Sequence, residues 1–319
     1  MDMDTTKIHP DLKQKFSEMI TLDFDWETID MEEARRLVNA RNAGNPIPTD
    51  KSVTITNKYI PGPSGAPDIQ LRIYKPTEHD EFLPGILWIH GGGYMFGKVE
   101  SDDYLCQKFV SEARCVVVSV DYRLAPENPF PAPLEDCYTS FLWLHEKAQE
   151  LSVDRSRIAI AGPSAGGGLT AALALLVRDR KGPSIVFQMP LYPMIDHRST
   201  TPSSYEIMDH RVWSRKKNIH AWKMYLGEHL HGEISPYASP ALATDLSGLP
   251  PTYTCIGTLD LFRDETIDYV KRLNQAGVPT EFHLYPGCFH AFERVEVNAE
   301  VSKRAVNQYI QVLKSALGS

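Results

Sequence analysis

The sequence predicts an α/β fold, with an eight-stranded, mostly parallel sheet, helices on both faces and a helical cap. Three observations point there. Short unbroken apolar runs such as Cys115-Val116-Val117-Val118 recur along the chain, as strands buried on both faces require. Stretches with helical spacing separate the later runs, which calls for crossover connections and parallel strands. Several runs end directly in glycine or polar residues, at the carboxyl ends of strands where open α/β sheets bind ligands.

The first 50 residues read as helical. Leu12, Phe16, Met19 and Ile20 repeat at helical spacing within 9–20. Asp30-x-x-Glu33 resembles a capping box ahead of Ala34, Leu37 and Val38, and Gly44-Asn45-Pro46-Ile47-Pro48 ends the region. Residues 52–60 and 69–74 alternate around Pro61-Gly62-Pro63 and Gly65, an antiparallel hairpin with a long loop. Residues 85–89, 115–120, 157–161, 185–189, 252–256 and 280–285 supply six further strands. Helices are expected at 134–150, 165–180, 264–276 and 297–317.

Residues 198–232 break this rhythm. They hold Met208, Trp213, Trp222, Met224 and Tyr225, with helix signals from Ser214. The division expected is an N-terminal cap segment (1–50), a core in two parts (51–197 and 233–319) and a cap insertion (198–232). Surface helices packed on the core would fit the same signals.

Composition narrows the function. The 319 residues carry 33 Lys and Arg against 41 Asp and Glu, a net charge of −8. No basic footprint for nucleic acid exists, and Arg215-Lys216-Lys217 reads as a solvated helix start. The polar stretch from Met1 to Gln14 lacks the apolar core of a signal peptide. No run approaches the ~20 apolar residues of a membrane span. The five cysteines (Cys106, Cys115, Cys137, Cys255 and Cys288) lie far apart, without metal-ligand spacing, and most read as core residues. A cytoplasmic protein without disulfides is expected.

The chemistry is carried by residues at strand ends. Gly162-Pro163-Ser164-Ala165-Gly166 follows the strand at 157–161 and opens a helix. A strand-to-helix turn this sharp strains Ser164 and crowds its neighbours, so small residues are needed two before and two after it. Alone, the pentapeptide fits a tight turn without chemistry equally well. His90-Gly91-Gly92-Gly93 ends the strand at 85–89. Its glycine N–H groups, with that of Ala165, are suited to hold the oxyanion of a tetrahedral intermediate. His90 itself reads as a support for the glycine loop. Downstream, Asp260 and His290 each follow a strand. The set needs Ser164 as nucleophile, His290 as base and Asp260 to orient the histidine. Asp264 rivals Asp260, but it sits one turn later and reads as a helix cap.

His90-Gly91-Gly92-Gly93, Asp121-Tyr122-Arg123-Leu124-Ala125-Pro126-Glu127, Gly162-x-Ser164-Ala165-Gly166-Gly167, Asp260 with Arg263-Asp264-Glu265, and Tyr285-Pro286-Gly287 with His290 occur in that order. In these motifs the chain resembles the bacterial hormone-sensitive-lipase-like esterases of the α/β-hydrolase fold, from about residue 50 to the C-terminus. The resemblance implies an eight-stranded core, a helical cap and hydrolysis of short- to medium-chain acyl esters. It puts the nucleophile on Ser164, the acid on Asp260 and the base on His290. It puts the oxyanion donors on the run Gly91, Gly92 and Gly93, foremost the last two, and on Ala165. The Asp121–Glu127 block is read as structural, pairing charges to pin loops near the site. It also implies a homodimer through the edge of the strand at 280–285.

One position departs from the family pattern. Pro163 stands where the family carries Asp. Proline lacks an N–H, but the oxyanion donor belongs to residue 165, so the hole is expected to survive. Amidases, lactonases and acyltransferases use the same triad, and a ligand-binding protein could keep the fold. The presence of His290 speaks against that last reading. No metal or organic cofactor is implied, and His229-x-His231 reads as surface. Tyr94, Phe96, Trp213 and Trp222 suit a pocket or the core equally.

Overall fold

The structure, a computed structural model, describes residues 3–20, 28–42, 49–79 and 81–318. The expected break at Gly44 to Pro48 lies outside the described residues. Among the N-terminal residues, helix α1 (Lys13–Glu18) is shorter than the pattern at 9–20, because a 3₁₀ turn at Pro10–Leu12 precedes it. Helix α2 spans Met31–Asn42. The Asp30 carboxylate accepts the Glu33 N–H, which is half of a capping box. The other half does not form, because the Glu33 side chain pairs with Arg36 instead.

Strands β1 (Val53–Ile60) and β2 (Ile69–Pro76) form the antiparallel hairpin. Then come β3 (Leu83–Ile89), helix α3 (Asp103–Ala113), β4 (Val116–Asp121), α4 (Ala132–Glu146), β5 (Val153–Pro163), α5 (Ala165–Asp179) and β6 (Phe187–Leu191). Helices α6 (Pro202–Glu206) and α7 (Arg215–Leu226) separate β6 from β7 (Thr252–Leu259). Helix α8 (Arg263–Gln275), β8 (Thr280–Phe289), α9 (Phe292–Val295) and α10 (Glu300–Leu317) complete the order. Helix α3 is an addition to the elements read from sequence, and its apolar residues Leu105, Cys106, Phe109, Val110 and Ala113 bury one side.

The eight strands form one sheet in the order β1-β2-β4-β3-β5-β6-β7-β8. Only β2 runs against its neighbours; every pair from β4 to β8 is parallel. This order dictates the layers. The step from β3 to β4 moves one way along the sheet, and every later step moves the other way. Right-handed crossovers therefore put α3 on one face and α4, α5 and α8 on the opposite face. Helix α10 packs against α3, and α4 packs against α5. The reversal falls between β3 and β5, where the chains leaving adjacent strands part and open a crevice at their carboxyl ends. The core is continuous, and β3 is buried along its whole length.

The N-terminal segment ties to the loops above this crevice. The Met3 N–H donates to Asp209 at 2.8 Å, and the Arg211 guanidinium lies 4.2 Å from the ring of Phe16. Arg35 on α2 donates to the carbonyls of Met95 and Ala125 and to both oxygens of Glu127. All five cysteines are buried and unpaired, which fits their reading as core residues. Among the described residues no helix is long and apolar enough to cross a membrane.

Candidate active site

The site forms at the reversal point. The end of β3 and the turn after β5 are pressed together there. A Cβ on Gly162 would lie 2.3 Å from the carbonyl oxygen of Ile89, and one on Gly166 would lie 2.0 Å from the same oxygen. No side chain fits, so these two glycines let the turn close on β3. Ser164 pays for the sharpness of the turn with φ 57° and ψ −119°, a conformation disfavoured for any residue with a side chain. Its N–H donates to Leu191 of β6, and its carbonyl accepts from Gly168 and Met194. The strained residue is held on three sides.

This geometry presents the Ser164 side chain to His290, which follows β8. Ser164 Oγ lies 2.9 Å from His290 Nε2, and His290 Nδ1 lies 2.7 Å from Asp260 Oδ2. The other oxygen of Asp260 accepts the Phe262 N–H, which fixes the carboxylate. An ionised Asp260 selects the tautomer with the proton on Nδ1, leaving Nε2 to accept the serine proton. Asp260 and Ser164 are buried, 1% and 8% exposed, and His290 is partly buried. Tyr192 and Phe262 stand edge-on to the imidazole, at 5.1 and 5.2 Å between ring centres. Neither was singled out from sequence, although Tyr192 follows β6 as directly as the other site residues follow their strands.

The glycine run borders the same space. A Cβ on Gly91 would lie 3.4 Å from that of Ser164. Gly92 turns the chain, its carbonyl accepting from Met95 and Phe96, and Gly93 lies beneath the indole of Trp213. Ala165 is the first residue of α5, so its N–H belongs to the donors a helix cannot satisfy internally. The structure thus sets Gly91 against Ser164, with Gly92 and Gly93 following it in the turn and Ala165 next to Ser164 in the chain.

Other expectations resolve differently. His90 is fully buried and stacked on Tyr122, with its Nδ1 2.9 Å from the carbonyl oxygen of Gly91. Burial lowers its pKa, so the ring is a neutral brace for the glycine run. Asp264 is not a cap for its own helix. Its carboxylate pairs with Arg263 and accepts the N–H of Ser203, because α6 returns over the start of α8. Within the Asp121–Glu127 block Arg123 and Glu127 pair, with partners elsewhere, while Asp121 has the Glu100 charge acting on it. Arg123 binds the fully buried Asp136 of α4, and Glu127 binds Arg35. Tyr94 and Trp222 are core, while Trp213 is half-buried beside the site. His229 and His231 are exposed.

A family described by the alpha/beta hydrolase fold matches residues 86–294. The chain belongs to the hormone-sensitive-lipase-like α/β hydrolases. "Esterase LipI" of Mycobacterium tuberculosis is 36% identical to this hydrolase over 273 residues, 85% of this chain and 84% of the relative. "Carboxylesterase NlhH" of the same organism is 36% identical over 260 residues, 80% of this chain and 81% of the relative. Among solved structures, a bacterial heroin esterase superposes with a TM-score of 0.93 at 38% identity, covering 99% of both chains. The two structure-bearing motifs of the hydrolase, the turn at Ser164 and the glycine run after β3, both lie within the matched region.

Proposed function

We propose that the protein is a carboxylesterase that hydrolyses short- to medium-chain acyl esters through an acyl-enzyme on Ser164. The observation that carries this reading is the unbroken hydrogen-bond chain from Ser164 Oγ through His290 to Asp260. His290 takes the proton as Ser164 Oγ attacks the ester carbonyl. The oxyanion that forms is held by the N–H groups of Ala165, Gly92 and Gly93, with Gly91 supporting the run. His290 then returns the proton to the departing alcohol, and water repeats the sequence to free the acid. Asp260 keeps the imidazole in one tautomer and stabilises its charged form. Each oxyanion donor is worth ~3 kcal/mol of transition-state stabilisation. The relatives named as esterases support the reaction class.

Residues 1–50 and 198–232 act as a cap over a core of 51–197 and 233–319, a division supported by the Met3 to Asp209 bond and the Phe16 contact with Arg211. Two copies pair along the outer edge of β8, the terminal strand of the sheet. The unpaired cysteines favour a reducing, cytoplasmic setting. Treatment with a serine-reactive organophosphonate tests the reading. Loss of p-nitrophenyl butyrate hydrolysis should track one adduct per chain, mapped to Ser164 by peptide mass spectrometry. An adduct elsewhere, or activity that survives full labelling of Ser164, would reject it. Light scattering of the purified protein tests the pairing.

A further inference from the structure

A second buried acid stands beside the hydrolytic residues. Glu293 lies in α9, three positions after His290, and is buried. Its Oε1 accepts the Tyr192 O–H, while its Oε2 is buried and has no hydrogen-bond partner among the described residues. The chain at Tyr192 takes φ 34°, in the left-handed region that residues with side chains disfavour, and its N–H bonds to the Cys255 carbonyl at 2.9 Å. The phenol ring stands edge-on to His290, with 5.1 Å between ring centres, and its hydroxyl meets Glu293. One arm therefore runs from the imidazole through Tyr192 to a carboxyl group that the chain from Ser164 through His290 to Asp260 does not use.

A buried carboxylate is costly unless a positive charge stands near it. The Arg294 guanidinium is close but is bound elsewhere, to Asp102 at 2.6 Å and to the Ser101 carbonyl at 3.0 Å. Cys255 on β7, Tyr285 and Cys288 on β8, and Tyr309 on α10 also face Glu293, and burial holds the proton on each. Burial pushes the Glu293 carboxyl up, against the Tyr192 hydrogen bond and the charges of Arg294 and His290. Of these groups only His290, bonded directly to Asp260 and Ser164, changes its charge when it takes the serine proton. We infer that Glu293, held by Tyr192, is a positioning residue that stabilises the charged imidazole of His290 alongside Asp260. This rests on the reading of His290 as the base. The gain is greatest where the charge appears, in the transition state, so it acts on turnover rather than on substrate binding.

The experiment measures kcat and KM for p-nitrophenyl butyrate across the acidic pH range. It uses the wild-type protein, Glu293→Gln and Tyr192→Phe, each checked for folding by circular dichroism. Glu293→Gln keeps the shape of the side chain and removes its charge. The neutral base then survives to lower pH, so the acidic limb of kcat/KM should move down by about half a pH unit or more. On the plateau kcat should fall by about threefold or more, the same energy read in turnover, with KM within about twofold of the wild type. Tyr192→Phe keeps the ring beside His290 and strips the hydroxyl from the carboxylate, whose charge becomes harder to hold. It should move the limb the same way. Should Glu293→Gln fail to fold, the Tyr192→Phe profile decides. A limb that stays in place or moves up in either folded variant, even with a loss of activity, would mark packing alone and overturn the inference, as would a loss confined to KM. Absence of any Ser164-dependent hydrolysis in the wild type would instead overturn the esterase reading.

Discussion

His290 Nε2 lies 2.9 Å from Ser164 Oγ although 126 residues separate the two along the chain. Parallel strands make this contact possible. They deliver the ends of β5, β7 and β8 to one edge of the sheet, so short loops suffice to bring the three side chains together. Several consequences are open to measurement.

Asp260→Asn keeps the size of the side chain and removes the charge that selects the tautomer of His290. The fold should persist, since Asn still accepts the Phe262 N–H that Asp260 now binds. Turnover should fall by ~10⁴-fold. Steady-state kinetics with circular dichroism on the same sample checks both halves.

Pro163 ends β5, with its carbonyl close to Gly91, and the N–H of Ser164 makes the bond to β6. The ring therefore removes no donor that the site uses. Pro163→Asp should fold and change kcat by less than about tenfold, or ~1.4 kcal/mol in the barrier. Complete loss of activity in a folded variant would contradict this.

Asp136 is fully buried and receives the Arg123 guanidinium through two bonds and the Arg123 N–H through a third. Arg123→Ala strands a buried carboxylate and should cost ~3–5 kcal/mol of stability. Combining it with Asp136→Leu should recover much of that loss, because an apolar pair leaves no charge behind. Urea unfolding of the three variants measures it.

Burial, with the Glu100 charge adding to it, pushes the Asp121 carboxyl up to about 6. The folded protein thus holds this proton more tightly than the unfolded chain, whose value is ~3.9. The stabilisation is full below ~4 and is lost as pH rises through about 6. Asp121→Asn can still accept the Val99 N–H and carries no charge. It should stabilise the protein at pH 8 by on the order of 1 kcal/mol, the group being partly solvated, and by nothing at pH 4. Melting temperatures across that range show the crossover.

The sheet was legible because its inner strands are short apolar runs stopped by glycine, proline or a polar residue and the β1–β2 hairpin alternates around a Pro-Gly loop. Ser164, Asp260 and His290 stood out for the same reason, each lying just past such a run. Contacts between distant segments left no local trace. Arg35 reaching Glu127, Arg123 choosing Asp136 over nearer carboxylates, and Trp213 settling on Gly93 all depend on how helices cross above the sheet. Asp264 was misread for a related reason. Its position in the first turn of α8 suits a cap, but α6 folds back and offers Ser203 as the better donor. The capping box at Asp30 half failed because Arg36, one turn on, competes for Glu33.

The account turns on Ser164. Hydrolysis of p-nitrophenyl acetate by the wild type and by Ser164→Ala, purified alike and shown to be folded, tests it most directly. The variant should lose ~10⁶-fold in turnover. Equal rates in the two proteins would contradict the mechanism as a whole.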